Sequence, residues 1–383
     1  MNYNSQICRF ISEHENWQEL FKEKFIKYST EGVLAIFNYD IGCNFSDPVV
    51  QEARGIIINL ESLEVVCWPF RKFGNWNESY ADPIDWSTAR VQEKLDGSII
   101  KLWFDALRKE WRFSTNATID SSLANADSLT NESYYDLIKK ADNYGSIPFD
   151  RLDKDNTYIF ELVSPQNRIV IEYPYCRLFH IGTRTNISGR ERLVDIGIVK
   201  PAEYSLHSLK ECIAAAKLLN RSEDQSENDA ELLSSVKKEG FVVVDIHFNR
   251  VKIKSPDYLA IHHVIKNGNF TKERVVRLLR DEEINVDDFC REYPEYAVYI
   301  RYYQFKLAEL EFEVTAFVRM VLNMYEEYSR ERKALALVIK DHRYQSFGFM
   351  AIDTHKSAHE MIKELDLGKL LKLIPDYVPE KIL

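Results

Sequence analysis

The sequence of 383 residues lacks several features that would place it in a specialised class of protein. Its six cysteines are scattered, and the absence of any Cys-x-x-Cys pair excludes a zinc or dithiol centre of that pattern. No stretch approaches the ~18 uninterrupted apolar residues of a membrane-spanning helix. The acidic residues Glu13 and Glu15 interrupt the apolar segment that a signal peptide requires. These absences predict a soluble intracellular protein, expected in the cytoplasm.

The sequence also lacks an excess of positive charge. Its formal net charge is −10, whereas a protein that binds nucleic acid normally has a basic footprint. Global charge does not decide the matter, because an enzyme that releases its product needs only a local positive groove. Three short clusters could supply one, or could equally be solvated surface. They are Arg184 with Arg190 and Arg192, Lys237 with Lys238, and the run from Arg250 to Lys254.

The remaining composition, 45% apolar and 29% charged, is that of a globular protein with room for two domains. Short β-forming runs alternate with helical stretches up to Lys254, so we expect an α+β N-terminal domain of antiparallel sheets. We also predict a helix over Tyr134 to Lys140 and an exposed polar loop over Asn220 to Asp229. The predicted strands are Gly55 to Asn59, Ile99 to Phe104, Tyr158 to Val163, Arg168 to Glu172 and Phe241 to His247.

The pattern changes after Ser255-Pro256, where an all-α C-terminal domain is expected. One apolar stripe steps by four and three residues in turn from Tyr303 to Tyr328, which predicts a helix of roughly seven turns. The stripe could be a coiled-coil seam, but Phe305 and Phe312 spread apolar character to other faces and favour a bundle core. The predicted domains are therefore 1–254 and 255–383.

The run Lys94-Leu95-Asp96-Gly97 is the strongest functional signal. Taken alone it fits a strand that ends in an Asp-Gly turn. Lys-x-Asp-Gly is also the sequence in which covalent nucleotidyltransferases attach a nucleotide to lysine, and acidic and basic segments follow it in the order that such a site requires. An unperturbed lysine titrates near ~10.4, so we expect the site to lower the proton affinity of Lys94 by burial or by neighbouring cations.

Two lysines and two glutamates complete the candidate site. Lys252 and Lys254 alternate with Val251 and Ile253, so on a strand both amines point to one face, where they could neutralise phosphate. Glu161 lies within an apolar strand and needs a partner there, for which a ribose hydroxyl is suitable. Glu239 precedes a strand and could hold a hydrated divalent cation or a phosphate-bound water; the alternative is a plain turn residue.

Together these segments resemble the RNA ligases of the bacteriophage T4 RNA ligase 1 type over nearly the whole chain. The resemblance includes Ile36 to Tyr39, Ala53 to Ile57, Pro69 to Asn75, Phe160 to Val170, Phe347 to Met350 and Lys372 to Pro375. It implies that residues 1–254 form an adenylyltransferase (catalytic) domain, in which Lys94 takes the AMP and Glu161 binds the ribose. It further implies that Lys252 and Lys254 bind phosphate, and it places Tyr39, Arg54 and Lys72 in the ATP site.

The resemblance also implies the chemistry. Lys94 would attack ATP, AMP would pass to an RNA 5′-phosphate, and an RNA 3′-hydroxyl would displace the AMP. Mg²⁺ (or Mn²⁺) is the implied ion, with Asp287 a candidate to hold it, and the C-terminal domain is expected to confer RNA specificity. The substrates would be RNA ends, such as those of cleaved tRNA, after possible end healing by a kinase or phosphatase. A β-barrel OB domain, as in DNA ligases and capping enzymes, is not indicated by the C-terminal pattern.

Two positions depart from the family pattern. Gly74 follows Phe73 where the family usually has a second phenylalanine, and Asn116 stands where it commonly has a basic residue. Two alternatives therefore stay open beside an ATP-dependent RNA ligase. One is a nick-sealing or DNA-joining ligase, and the other is an RNA-binding nucleotidyltransferase-like module without turnover.

Overall fold

The structure is a computed structural model and describes residues 4–40, 42–126, 132–219, 237–256, 258–259, 265–266, 269–281, 286–292 and 294–378. The chain divides into two compact units, Met1–Leu259 and Ala260–Leu383. The division thus falls after Leu259, whereas the sequence placed it after Lys254. The predicted roles of the two domains, adenylation and RNA specificity, stay predictions.

The described strands of the first unit form three antiparallel sheets. The first has the order β1 (Ile26–Glu31), β2 (Leu34–Tyr39), β3 (Arg54–Asn59), β4 (Glu64–Cys67). The second has the order β10 (Glu191–Arg192), β9 (Arg177–Thr185), β8 (Asn156–Val163), β6 (Ser98–Asp105), β7 (Glu110–Ser114). The third has the order β11 (Glu203–Tyr204), β5 (Arg90–Lys94), β12 (Gly240–Val244), β13 (Arg250–Lys254). The α-helices of this unit are Gln6–Glu13, Trp17–Glu23, Pro48–Glu52, Tyr134–Lys140 and Leu209–Leu218, with 3-10 turns at Ser121–Leu123, Tyr144–Ser146 and Phe149–Arg151.

Alternating side chains give the second and third sheets one apolar face each, which a helix covers. Ile100 and Phe160 of the second sheet pack in one buried cluster with Leu137 of helix Tyr134–Lys140. Phe241 of the third sheet packs in another with Cys212 of helix Leu209–Leu218. Because neighbouring strand residues point to opposite faces, the other faces of both sheets are left to line a cavity.

Most of the predicted elements of this unit are confirmed, and the helix Tyr134–Lys140 has the predicted bounds. The strand predicted over Arg168 to Glu172 is wrong: this segment is a loop, and its buried Val170 and Ile171 bind a side chain through their backbone N–H groups. The strand predicted to reach His247 ends at Val244. The loop predicted over Asn220 to Asp229 lies outside the described residues.

The described part of the second unit is helical, apart from one short antiparallel pair, Ile265–Lys266 with Asn269–Phe270. The predicted long helix is confirmed and spans Pro294–Glu327. The core of its stripe, including Leu310, Val314 and Val321, is buried as a bundle core requires. Phe305 and Phe312 do not extend that core, since they are 63% and 77% exposed. The other helices are Lys272–Arg280, Val286–Glu292, Arg332–Ile339, Gln345–Thr354, Ala358–Glu364 and Leu367–Leu373.

Helix Pro294–Glu327 is long enough to cross a bilayer but carries charged residues throughout. Within the part of the chain that the structure describes, no helix combines the length and the apolar character that a membrane span requires.

Candidate nucleotide site

A cavity of about 590 Å³ opens between the second and third sheets. Its size is in the range of pockets that bind small ligands. Its lining mixes aromatic rings, among them Phe73, with charged side chains from both sheets. Five of the predicted site residues line it: Arg54, Lys94, Glu161, Lys252 and Lys254.

The register of the third sheet explains why three of these lysines meet. Gly240 in β12 pairs with Lys94 on one side and with Lys254 on the other, so the two lysines flank it on one face of the sheet. Lys252, two residues from Lys254, lines the same cavity, as the alternation predicted. A side chain at Gly240 would meet the Ile253 carbonyl oxygen at 2.2 Å, so only glycine fits between these strands.

Lys94 is the last residue of β5, and the chain then passes from the third sheet to the second. The Asp-Gly pair is therefore not a hairpin turn, because β5 and β6 belong to different sheets. A side chain at Gly97 would meet the carbonyl oxygen of Leu162 at 2.2 Å, so glycine allows this crossing to pack directly on β8. The crossing places Lys94 at the seam between the sheets.

Glu239 holds two of the lysines at once. Its Oε2 accepts a hydrogen bond from Lys94 Nζ at 2.7 Å, and its Oε1 lies 2.9 Å from Lys254 Nζ. The carboxylate is only 2% exposed, so these contacts are shielded from water. Burial opposes its ionisation, but the two lysines outweigh burial and lower the pKa of Glu239.

This pairing overturns the expectation that Lys94 would have a lowered pKa. Burial does act in that direction, but the charges of Glu239 and Glu161 outweigh it and raise the pKa of Lys94 above its ordinary value. Lys94 is therefore an ammonium held by a carboxylate. The sequence could not show this, because Glu239 is distant in the chain and its orientation depends on the fold.

Lys252 is a lysine of the cavity lining whose pKa is lowered. Burial, followed by repulsion from Lys72 and Arg54, brings the pKa of Lys252 to about 6. The Phe73 ring lies 4.9 Å from Lys252 Nζ and 5.4 Å from the Arg54 guanidinium carbon. An aromatic face stabilises a cation without neutralising it, so Arg54 is available to an anionic ligand, and Lys252 becomes so once it takes up a proton.

Lys72 and Tyr39 lie beside the cavity lining. The Lys72 Nζ sits 4.7 Å from the Phe45 ring and 5.4 Å from the Tyr39 ring. Tyr39 also interacts with Arg54, and the charge of Lys72 acts on Lys252. The structure therefore gathers the predicted tyrosine, arginine and lysines into one electropositive wall.

Glu161 faces this wall from the second sheet. Its Oε1 accepts a hydrogen bond from Gly97 N at 3.1 Å. Burial raises the pKa of Glu161 to about 7, although Lys94 and Arg54 oppose the shift. Near neutral pH this carboxyl group can accept or donate a hydrogen bond, which suits a sugar hydroxyl.

Asp96 is an important residue to which the sequence analysis gave no role. Its Oδ2 accepts the backbone N–H groups of Val170 and Ile171, each at 2.8 Å, and its Oδ1 accepts the hydroxyl of Tyr258 at 2.6 Å. Its backbone N–H donates to Tyr173 at 3.1 Å. Asp96 thus anchors the segment that follows Lys94. The signal was present in the Lys-x-Asp-Gly run, but its partners are remote in sequence.

The two departures from the family pattern have structural counterparts. Gly74 is buried, and its carbonyl accepts the backbone N–H of Lys252 at 3.0 Å, so the segment after Phe73 runs directly beside β13. Asn116 lines the cavity, and among the described residues its buried Oδ1 has no hydrogen-bond partner. The cavity wall at 116 is therefore polar but uncharged.

Asp287 belongs to the other unit and does not line the cavity. It is an exposed residue of helix Val286–Glu292 and its carboxylate pairs with Arg301. Across the described ranges, no group of three or more His, Cys, Asp or Glu side chains is placed to hold a metal ion. The assignment of Asp287 to a metal stays a prediction. Mg²⁺ is commonly held by one or two carboxylates together with substrate phosphates, and Glu161, which lines the cavity, could serve in that way. Both carboxylate oxygens of Glu239 are held by lysines instead.

Comparison with known proteins shows which family the sequence matches. The sequence model of a family described as RNA ligase matches residues 52–258, more than half of the chain. An RNA ligase of Rhodothermus phage RM378 is 24% identical over 406 aligned positions, covering 88% of each chain. A solved structure of an archaeal ATP-dependent RNA ligase covers 79% of this chain and 82% of its own, with 13% identity and a TM-score of 0.46. A solved structure of a Naegleria gruberi RNA ligase with ATP and Mn covers 46% and 51%, with 11% identity and a TM-score of 0.32.

Proposed function

This chain belongs to the RNA ligase family, and from that premise we propose that its cavity binds ATP and that Lys94 is the residue that becomes adenylated. The chain is an RNA-joining enzyme. The observation that carries the proposal is the position of Lys94, which lies in the cavity beside Lys254, both held by one buried carboxylate.

The first step forms a bond between Lys94 Nζ and the α-phosphorus of ATP. The bond from that phosphorus to the bridging oxygen breaks, pyrophosphate departs, and Lys94 gives up a proton. Glu239 accepts a hydrogen bond from this nitrogen and is placed to take the proton. Lys254, Lys252 and Arg54 are placed to neutralise the phosphates, which is most of what an in-line displacement needs.

The later steps consume the adenylate. An oxygen of an RNA 5′-phosphate takes the AMP and the N–P bond to Lys94 breaks; a 3′-hydroxyl then attacks the 5′-phosphorus, joins the RNA ends and releases AMP. Mg²⁺ or Mn²⁺ would add positive charge at the phosphates. Glu161 is placed to contact the ribose. We place cleaved tRNA among the substrates, after end healing by a kinase or phosphatase, with the helical unit conferring RNA specificity.

Incubation with ATP labelled in the α-phosphate and with magnesium tests the first step. A covalent protein adduct that is stable in alkali and released by acid, as a lysyl phosphoramidate should be, is expected in the unaltered chain. The same adduct is expected in Lys22→Ala, since Lys22 is exposed and does not line the cavity. The adduct should be absent in Lys94→Ala. An adduct that persists in Lys94→Ala, or none in the unaltered chain, rejects the proposal.

The substrate is tested with matched RNA and DNA ends that carry a 5′-phosphate. RNA joining that depends on ribose at the joint is expected. Equal joining of DNA would favour a DNA-joining enzyme, and RNA binding without adenylate would favour a module without turnover.

A further inference from the structure

Lys101 is a fully enclosed lysine with no part in the mechanism above. It lies in β6, on the strand that starts just after Gly97, and its relative exposure is 0%. Its partners across the sheet, Ser114 and Ile159, are also fully enclosed. A buried ammonium is costly unless it is paired.

The ammonium is not paired with a carboxylate among the described residues. It donates a short hydrogen bond to the backbone carbonyl of Gly55 instead. Burial, with Arg54 adding to it, lowers the pKa of Lys101 to about 8. Stability does not account for this lysine, because an apolar side chain of similar length would fill the space without the charge.

The contact with Gly55 is close and specific. Gly55 has φ +83°, in the region that favours glycine, and it directly follows Arg54. A side chain built on Gly55 would meet Lys101 Nζ at 2.6 Å and the backbone of Asn116 at 2.8 Å. Lys101 therefore occupies the space that a side chain at 55 would take, and the backbone of Asn116 closes the other side.

Two residues beside the Lys101–Gly55 contact line the nucleotide cavity. Arg54 and Asn116 belong to its wall, whereas Lys101 lies behind it. We propose that Lys101 is a positioning residue for the reaction with ATP: it holds the Arg54–Gly55 backbone, and through it the Arg54 guanidinium, against the cavity. This inference rests on the proposed function, because it takes the anionic ligand of Arg54 to be the triphosphate.

The test uses the full chain with Lys101→Met, which keeps the length and removes the charge and the donor. Lys22→Met is the matched control on an exposed lysine. We expect Lys101→Met to fold and to change the unfolding temperature little, because removal of a buried charge offsets the loss of the hydrogen bond to Gly55. The ATP concentration that half-saturates adenylate formation should rise about tenfold, the effect of one charge-assisted hydrogen bond. The rate at saturating ATP should change less.

A double mutant shows whether Lys101 acts through Arg54. If it does, Arg54→Ala and Arg54→Ala/Lys101→Met have the same half-saturating ATP concentration. Additive effects, or an unchanged half-saturating concentration in a folded Lys101→Met, overturn the inference. Lys101→Gln, which keeps an N–H donor, replaces Lys101→Met if the latter does not fold; failure of both to fold makes Lys101 a folding residue only. Absence of adenylate in the unaltered chain would instead reject the proposed function.

Discussion

Tyr258 donates its hydroxyl hydrogen to Asp96 at 2.6 Å, which ties the segment that carries Lys94 to the residues that follow β13. Both side chains are buried, at 3% and 2% exposure. Asp96 lies two residues after Lys94, and Tyr258 four residues after Lys254. The bond therefore links the segments that carry the nucleophile and one of the phosphate-binding cations.

Replacing Tyr258 by phenylalanine removes this bond and leaves the ring. A hydrogen bond to a charged group is worth roughly 1.5–3 kcal/mol, so the free energy of unfolding should fall by about 2 kcal/mol. Adenylation should slow, because the Asp96 side chain then keeps its bonds to the loop N–H groups but loses its link to the segment after β13. Denaturant unfolding and single-turnover adenylation measure both effects. Full rate with unchanged stability would show that the bond has no such role.

Replacing Glu239 by glutamine should alter the pH dependence of adenylation. The main interaction that raises the pKa of Lys94 is lost, so its amine becomes neutral at lower pH and the rise of the rate with pH should shift to lower pH. Removing one partner of buried ion pairs should also lower the free energy of unfolding by about 3 kcal/mol. Glu110→Gln, at an exposed strand residue, is the control. An unshifted profile contradicts the prediction.

ATP binding should take up a proton at Lys252. The pKa of Lys252 is about 6 in the folded chain against an ordinary 10.5, so at pH 7.5 its amine is neutral until a triphosphate restores the charge. Calorimetry with a non-cleavable ATP analogue, in buffers of different ionisation enthalpy, measures the uptake. Lys252→Met should abolish it. The unfolded chain binds the proton of the Lys252 ammonium more tightly than the folded chain does. The contribution of Lys252 to the free energy of unfolding therefore rises with pH between about 6 and 10.5. In Lys252→Met this contribution should not depend on pH.

Glu161 should make the free energy of unfolding depend on pH in the opposite direction. Its pKa is raised from 4.5 to about 7, so between these values the folded chain keeps a proton that the unfolded chain has released. Stability attributable to Glu161 therefore falls as pH rises through this window. Glu161→Gln should gain stability relative to the unaltered chain at pH 8 but not at pH 4, and should bind ATP more weakly. Denaturant unfolding at pH 8 and at pH 4 tests this. If Glu161→Gln and the unaltered chain differ by the same free energy of unfolding at both pH values, the prediction is wrong.

The elements with strong local patterns could be predicted from the sequence. The alternation of Val251 and Ile253 with two lysines placed both amines on one face, because a strand turns successive side chains to opposite sides. The apolar stripe of the long helix indicated its buried face, because residues three and four positions apart lie on one side of a helix. The segment 168–172 was misassigned as a strand, because its apolar residues are buried by a long-range contact with Asp96 rather than by a sheet.

By itself, then, the sequence determined the order of Lys94, Glu161, Glu239 and the two strand lysines along the chain, and the face on which those strand lysines lie. Tertiary structure alone decided their charge states and supports: Glu239 reaches Lys94 from another strand, Lys252 loses its proton among other cations, and Lys101 supports Arg54 from behind the wall. The physical reason is that a pKa and a buried hydrogen bond depend on burial and on neighbours in space, which no local pattern specifies.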